Sequence, residues 1–268
     1  MEIKIINNKK AKILAAIVDW DGTISLLREG WNKVMKDYIA NYISLNPQKK
    51  DLLWAENFIK ETMGENTVDQ MLGMMAKAHE NGVKNMPIDQ KKRKNLAEKQ
   101  RIKYRKSLEE KMRSKRIKRA KVHPGEFINK GIKKFLQELK KRNVKIFVIS
   151  GSEQKERGGI EEEVEILKLK HYFEKVFGYN GQIHPYTKEN ALKWIIKKYK
   201  IKNPLQILVV GDGPKEIKTG RDFGTITIGL VSNNLSKKNL LKSGADYIVY
   251  NPTDLVDCLN YIDLGSYR

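Results

Sequence analysis

The chain has 268 residues and a formal net charge of +21, from 53 Lys and Arg against 32 Asp and Glu. Its single cysteine, Cys258, excludes an internal disulfide and a zinc site built on several cysteines. The strongly apolar runs reach about six residues, whereas a membrane span needs roughly 18. The first ten residues, MEIKIINNKK, lack the apolar stretch of a secretory signal. We therefore expect a soluble, cytoplasmic protein without a membrane partner.

The first half of the chain is predicted to hold one strand followed by helices. Residues 13–18 are six apolar residues that lead directly into an acidic turn, which is typical of a buried strand. Apolar spacing then predicts helices over residues 31–43, 51–63 and 67–79, with Gly64 ending the second of them. No β-rich run interrupts this pattern before residue 121.

The positive charge is concentrated in residues 91–121, called the basic segment below. It carries 16 basic and three acidic residues, a net charge of +13, which leaves +8 (21 − 13) for the other 237 residues. A thin apolar stripe at near-helical spacing consists of Ala97, Tyr104, Leu108 and Met112. We interpret the segment as a helix with a solvated basic face. Recruitment of an anionic substrate and nucleic-acid binding remain as alternatives.

From His123-Pro124-Gly125 onward, predicted helices alternate with strands. Strands are predicted over residues 144–149, 176–177, 206–210, 225–229 and 247–250, with helices over 128–139, 161–169 and 189–199. This alternation favours an α/β fold with a Rossmann-like parallel sheet and helices on both faces. We expect a discontinuous core, residues 1–24 and 122–268, interrupted by a helical cap, residues 25–121, that includes the basic segment.

Two carboxylates follow the first predicted strand, in the sequence Asp19-Trp20-Asp21-Gly22-Thr23. Ligands of open α/β sheets bind where strands end at their carboxyl edges. Two neighbouring carboxylates there can divide the work, one as a nucleophile and one as a proton donor and acceptor. By itself the motif is also compatible with an acidic turn or a calcium-like loop, so its position after an apolar strand is what favours catalysis.

Groups suited to phosphate and cations follow the other strands. The hydroxyl of Ser150 and the amide of Gly151 can donate hydrogen bonds to phosphate, and the ammonium of Lys188 can balance negative charge. The loop Gly211-Asp212-Gly213-Pro214-Lys215-Glu216 offers two carboxylates at a spacing that suits Mg²⁺. Taken one at a time, an ordinary turn or a surface lysine explains each of these features equally well.

Together these pieces resemble the haloacid dehalogenase superfamily, in its phosphatase branch. VDWDGT is similar to the first family motif, VISGS to the second, Lys188 to the third and GDGPKE to the fourth, in the family's order. The resemblance covers about residues 13–24 and 123–250, while the helical insertion is similar only in type and position.

The resemblance implies a role for each matching residue. Asp19 is expected to be the nucleophile, and Asp21 the group that protonates the leaving alcohol and then activates water. Ser150, Gly151 and Lys188 are expected to bind the transferring phosphoryl group. Mg²⁺ is the expected cofactor, with its ligands supplied by Asp19, Asp21 through its backbone carbonyl, Asp212 and Glu216. The family often has Asp where this chain has Glu216.

The sequence therefore predicts a Mg²⁺-dependent phosphomonoester hydrolase. Its expected substrate is a small phosphorylated metabolite, such as a sugar phosphate, a phosphorylated acid or a nucleotide. One alternative is a nucleic-acid end-processing phosphatase that uses the basic segment, and a second is a non-catalytic binding protein on the same fold. Asp21 favours a phosphatase or a phosphomutase and does not separate the two. Neither the substrate nor the oligomeric state follows from the sequence.

Overall fold

A seven-stranded sheet lies at the centre of the computed structural model, which describes residues 3–63, 65–155, 159–180, 188–231 and 234–263. Its strands are β1 (Ile3–Ile5), β2 (Ala15–Asp19), β3 (Lys145–Glu153), β4 (Lys175–Tyr179), β5 (Ile207–Gly211), β6 (Ile226–Leu230) and β7 (Tyr247–Val249). The strand order is β1-β7-β6-β5-β2-β3-β4, and every pair is parallel except the edge pair β1–β7.

Strand β2 lies in the middle of this sheet, between β3 and β5. All five of its residues are buried, and Val18 is in register with Val148 of β3 and Val210 of β5. The carboxyl ends of the three strands therefore meet at one edge, with Asp19 beside Ile149. This edge is where the sequence predicts the site.

Helices flank the sheet and complete its core. They are α6 (Ile132–Lys141), α7 (Ile160–Ile166), α8 (Lys188–Tyr199), α9 (Pro214–Asp222), α10 (Asn234–Lys242) and α11 (Leu255–Ile262). One core cluster joins Ile17, Phe147 and Val209 of the sheet to Leu192 and Ile195 of α8. The predicted α/β class, with a mostly parallel sheet between helices, is confirmed. None of the described helices is long and apolar enough to span a bilayer.

Several elements differ from the prediction. Strand β3 continues past residue 149 to Glu153. Helix α6 begins at Ile132 and not at residue 128, because Gly131 precedes it with φ of +90° and backbone of Thr253 lies 2.7 Å from where a Cβ would stand. Strand β1 and helices α9, α10 and α11 are not among the predicted elements. The strand is only three residues long, and each of these helices follows one of the last three predicted strands.

The chain divides into two compact units, and the second consists of helices. The sheet unit comprises Met1–Leu27 and Arg119–Arg268, and the helical unit comprises Arg28–Lys118. Helices α1 (Trp31–Ile43), α2 (Lys49–Glu61), α3 (Thr67–Glu80) and α4 (Gln90–Leu108) form the helical unit. Its buried side chains include Met71, Met74, Met75 and Ala78 of α3, as expected for a packing stripe. Gly64, predicted to end α2, is outside the described residues.

The basic segment is helical along its length. A π-helical turn, Glu109–Arg113, joins α4 to α5 (Ser114–Val122). Two of its arginines are buried and paired within the segment, Arg101 with Glu98 at 2.7 Å and Arg113 with Glu109 at 2.8 Å. The predicted stripe is present, since Ala97, Tyr104 and Leu108 are buried and Met112 is half-buried. The exposed basic side chains are Lys91, Lys92, Lys94, Lys99, Lys103, Lys106, Lys111, Lys115, Lys118, Arg119 and Lys121.

Candidate active site

Asp19 is the last residue of β2 and lies buried at the carboxyl edge of the sheet, with 7% of its surface exposed. The chain then turns at Gly22, whose φ of +80° favours glycine. A Cβ at Gly22 would stand 2.4 Å from Oδ2 of Asp212, so a side chain there would displace the Asp212 carboxylate. The glycine therefore leaves room for this carboxylate beside the turn after β2.

Lys188 is a buried cation in the middle of the site. It is the first residue of α8, and packing of Leu192 and Ile195 against the sheet fixes that helix. Its Nζ lies 3.1 Å from Oδ1 of Asp19 and 2.6 Å from Oε2 of Glu216. The predicted turn before it, residues 181–187, lies outside the described residues.

Three carboxylates converge around this lysine. Oxygens of Asp19, Asp212 and Glu216 all lie within 4.8 Å of one another. Thr23 fixes Asp212, because its hydroxyl donates to Oδ1 of Asp212 and accepts from the Asp212 backbone N–H, both at 3.1 Å. Glu216 is fixed by the Gly213 N–H, which donates to its Oε1 at 2.9 Å.

The crowded carboxylates change the proton affinity of the site. Burial raises the pKa of Asp19 well above its usual range, opposed by the charge of Lys188 and reinforced by Glu216. Burial, together with the charge of Glu216, raises the pKa of Asp212 to about 7. Burial disfavours the charged form of Lys188, but the pKa of Lys188 is raised nonetheless because Asp19 and Glu216 surround it. The lysine is thus a permanent cation within an acidic cluster that has excess negative charge.

This donor set suits a hard divalent cation. Carboxylate oxygens are the ligands that Mg²⁺ prefers. A second cation would offset the negative charge of Glu216, which adds to burial in raising the Asp212 pKa. Asp19 and Asp212 each have one oxygen engaged by a side-chain partner, Lys188 and Thr23 respectively. Glu216 is already bonded to Lys188 and to the Gly213 amide, so its contribution to a metal is less direct.

Asp21 stands apart from the acidic cluster and is held by two serines of β3. The Ser150 hydroxyl donates to its Oδ2 at 3.1 Å, and the Ser152 hydroxyl donates to the same oxygen at 2.8 Å. The Ser152 backbone N–H donates in turn to the Ser150 hydroxyl at 3.0 Å. Gly151 lies between the two serines in β3. Ser150, expected to contact phosphate, therefore contacts Asp21 here.

The site also depends on three residues to which the sequence analysis gave no role. Thr23 belongs to the first motif, which implies no role for it, yet it is fully buried and its hydroxyl donates a hydrogen bond to Asp212. Ser152 lies in the VISGS motif, where only Ser150 and Gly151 have an expected role, yet its hydroxyl donates to Asp21 at 2.8 Å. Glu163 of α7 accepts a hydrogen bond from the Trp20 indole N–H at 2.7 Å. No local signal connects two residues that are 143 positions apart.

A family model for haloacid dehalogenase-like hydrolases matches residues 13–224, the greater part of the chain. The chain belongs to this hydrolase family. The resemblance predicted from the four motifs is thereby confirmed. No curated protein sequence matches the chain.

Solved structures share the fold at low sequence identity. A predicted phosphatase from Clostridium acetobutylicum is 20% identical with a TM-score of 0.63, and the match covers 93% of this chain and 99% of that one. The β-phosphoglucomutase of Clostridium difficile is 17% identical with a TM-score of 0.63, covering 96% and 100%. A predicted phosphoglycolate phosphatase from Haemophilus somnus 129pt is 16% identical with a TM-score of 0.61, covering 92% and 97%. At these identities the similarity establishes the fold and not the substrate.

Proposed function

We propose that this hydrolase is a Mg²⁺-dependent phosphatase that removes the phosphoryl group from a small phosphorylated metabolite. The observation that carries the proposal is the contact between Lys188 and Asp19, because it sets a buried cation 3.1 Å from the carboxylate expected to attack phosphorus. A lysine in this position neutralises part of the charge that a phosphate brings to an acidic site. The family assignment and the order of the four motifs support the same chemistry.

In the first step, an oxygen of Asp19 attacks phosphorus and forms an aspartyl-phosphate while the bond to the ester oxygen breaks. The Asp21 carboxyl group gives its proton to that leaving oxygen, which departs as an alcohol. Ser150, Gly151 and Lys188 hold the oxygens of the transferring group, with Ser150 exchanging its present partner Asp21 for the substrate. Binding therefore releases the Asp21 carboxyl from one of its two serine donors.

In the second step, Asp21 takes a proton from water, and the resulting hydroxide attacks the phosphorus of the intermediate. The bond to Asp19 breaks, which regenerates the carboxylate and releases inorganic phosphate. Asp19, the Asp21 carbonyl, Asp212 and Glu216 are the residues that would hold Mg²⁺. When bound, the ion neutralises charge on the phosphoryl oxygens and orients them for in-line attack.

The helical unit is proposed to be the cap that selects the substrate, because it is inserted directly after the Asp19–Asp21 turn. The structural neighbours include both phosphatases and β-phosphoglucomutases, so the substrate class extends to sugar phosphates and phosphorylated acids. Hydrolysis is favoured over phosphoryl transfer between two positions of a sugar because the family model is that of hydrolases.

The proposal is tested with a panel of phosphate esters and inorganic phosphate release as the readout. The panel contains sugar phosphates, phosphorylated acids, nucleotides and 3′- and 5′-phosphorylated oligonucleotides, each with Mg²⁺ and with a chelator. We expect release from at least one small ester, only with Mg²⁺, and none from Asp19→Asn protein purified in the same way. Release that persists after exhaustive chelation, or release by the Asp19→Asn variant, would contradict the proposed site.

A further inference from the structure

Trp20 stands between the two carboxylates of the first motif. Its side chain is completely buried, and its indole N–H donates to Oε2 of Glu163 at 2.7 Å. The ring also meets Phe173 edge to face, with the ring centroids 6.5 Å apart. Because Trp20 is directly bonded to both Asp19 and Asp21 in the chain, any displacement of its backbone changes the separation of those two carboxylates.

Glu163 occupies an unusual place for a carboxyl group. Helix α7 carries four glutamates, and the other three, Glu161, Glu162 and Glu165, are half-buried or exposed, whereas Glu163 is completely buried. Burying a carboxyl group is costly unless hydrogen bonds compensate for its lost hydration. An apolar residue of similar size would fill the same space at a lower cost. Packing alone therefore does not account for Glu163.

Side chains hold the turn from Asp19 to Asp21 at three points, in addition to the hydrogen bonds that the Trp20 carbonyl accepts from the Ile24 and Ser25 N–H groups at 3.0 and 2.8 Å. Lys188 holds the Asp19 carboxylate, and Ser150 and Ser152 hold the Asp21 carboxyl group. The Trp20–Glu163 bond is the third point, and it comes from an element that carries none of the proposed catalytic residues. Of the three, it is the one that holds the side chain of the residue between the two carboxylates.

We propose that Glu163 is a positioning residue, which sets the separation of Asp19 and Asp21 by accepting the indole hydrogen bond of Trp20. The inference rests on the proposed phosphatase function, in which one carboxyl group attacks phosphorus while the other handles the proton. Both must be placed correctly at once, and a displacement of about 1 Å can cost roughly 100-fold in rate. In this role Glu163 acts on the reaction through Trp20 and touches no reacting atom itself.

Replacing Glu163 tests this role. Glu163→Leu fills the space without a hydrogen-bond acceptor, whereas Glu163→Gln keeps an amide oxygen that can accept from the indole. We expect Glu163→Leu to lower kcat about 10- to 100-fold, with KM changed less than about twofold, because alignment and not binding is lost. Glu163→Gln should keep kcat within about threefold of wild type. Glu165→Leu is the matched control, since it removes an exposed carboxylate from the same helix and should leave kcat unchanged.

Two measurements separate positioning from stability and from the proposed function itself. Trp20→Phe removes the indole N–H, which is the donor of the same hydrogen bond. Combining it with Glu163→Leu should lower kcat no further than the stronger single variant does. The rise in melting temperature on adding Mg²⁺ needs no turnover, and it should shrink in Glu163→Leu and persist in Glu163→Gln.

The outcomes are distinct. If the wild-type protein releases no phosphate, the phosphatase proposal is wrong. The positioning role is retained in that case if the Mg²⁺-induced rise in melting temperature still shrinks in Glu163→Leu and persists in Glu163→Gln. A folded Glu163→Leu variant with wild-type kcat and KM overturns the positioning role alone, as does a Glu163→Gln variant as slow as Glu163→Leu. If Glu163→Leu does not fold, Trp20→Phe decides, and unchanged kcat in that variant overturns the role.

Discussion

Single residues decide whether the site can form a covalent intermediate. Asp19→Asn replaces the attacking carboxylate by an amide of almost the same shape, which is a poor nucleophile and a weaker cation ligand. We expect kcat for phosphate release to fall by at least about 10³-fold. The fold should persist, because Lys188 keeps its 2.6 Å partner Glu216. The melting temperature of the variant is the control. Turnover within tenfold of wild type would remove Asp19 from the nucleophilic role.

The raised pKa of Asp212 makes the metal-free protein sensitive to pH. A carboxyl group whose pKa rises on folding, here to about 7, stabilises the fold fully below the ordinary value of about 3.9. This contribution is lost as the pH rises through about 7, since the proton must then leave. In a chelator, we expect the melting temperature to fall across this range. Mg²⁺ should reverse the trend, because it binds the deprotonated site more tightly.

Asp212→Asn is the variant that tests the origin of this trend. Without a titrating group at position 212, the fall in melting temperature between about pH 5 and 8 should be smaller, and the rise caused by Mg²⁺ should be largely absent. Asp257→Asn is a suitable control, because it removes a carboxylate from α11, away from the acidic cluster. An unchanged pH profile in the Asp212 variant would assign the trend to other groups.

The main carboxylates of the site could be predicted because each of them comes at the end of an apolar strand in the sequence. Asp19 follows an apolar strand and Asp212 follows another, so their convergence comes from the parallel arrangement of β2 and β5. The Trp20–Glu163 bond could not be predicted, because a buried glutamate in an acidic helix looks like its exposed neighbours in the sequence. The contact of Ser150 with Asp21 also required the structure, since a motif does not specify which partner a hydroxyl chooses.

Among the secondary-structure elements, the basic segment offers the clearest choice between a solvated surface and a binding surface. Five exposed lysines on it are suited to a combined Lys→Gln variant: Lys99, Lys103, Lys106, Lys111 and Lys115. For a solvated surface, kcat/KM for a small phosphate ester should change less than about twofold, and any loss should fade as salt shortens the Debye length to about 8–10 Å or less. We expect this outcome. Arg113 is left intact because it is buried and paired with Glu109.

A binding surface for nucleic acid would give a different result with the same variant. Oligonucleotide affinity would fall strongly, and the slope of log K against log salt would become shallower by about 0.7 per lost single-strand contact. A control variant with five exposed lysines of α6 and α8 changed to Gln has the same net charge: Lys133, Lys134, Lys193, Lys197 and Lys198. If oligonucleotide affinity falls in the basic-segment variant and not in this control, the end-processing alternative is favoured.

Periodicity predicted the long elements better than the short ones. The strongly patterned helix α1 has the predicted bounds, 31–43, and the predicted strands of the sheet all appear with small shifts at their ends. The helix of the basic segment was predicted from only four apolar positions. They were enough because their spacing places all four on one face of a helix. Strand β1 exposes two of its three residues, so no alternation could mark it.

For the molecule as a whole, the helical unit is an insertion that the sheet unit should tolerate losing. The chain leaves and re-enters at one place, where the Leu26 N–H donates to the Phe127 carbonyl at 2.9 Å and Ser25 bridges to Ile128. Replacing residues 28–118 by a Gly/Ser linker of about ten residues, with a root-mean-square span of roughly 17 Å, should leave a folded sheet unit.

This deletion is checked by circular dichroism, thermal unfolding and the response to Mg²⁺. We expect a cooperative transition, a loss of helical signal and a preserved rise in melting temperature with Mg²⁺, because the acidic cluster belongs to the sheet unit. Phosphate release from a generic aryl phosphate should continue, while discrimination among metabolites should be lost. A deletion protein without a cooperative transition would mean that the sheet unit depends on the helices for its stability.

The central position of β2 also governs the order in which the protein can be assembled during synthesis. Its two neighbours, β3 and β5, emerge from the ribosome only after the helical unit, since Ser150 follows Asp21 by 129 residues and Asp212 follows Thr23 by 189. Until then, the nascent chain carries a five-residue strand, four of whose residues are apolar, with both of its edges open, a state prone to aggregation. The helical unit, with its mostly local contacts, can fold during this interval, and a chain released before β5 has neither Asp212 nor the partner that closes its central strand.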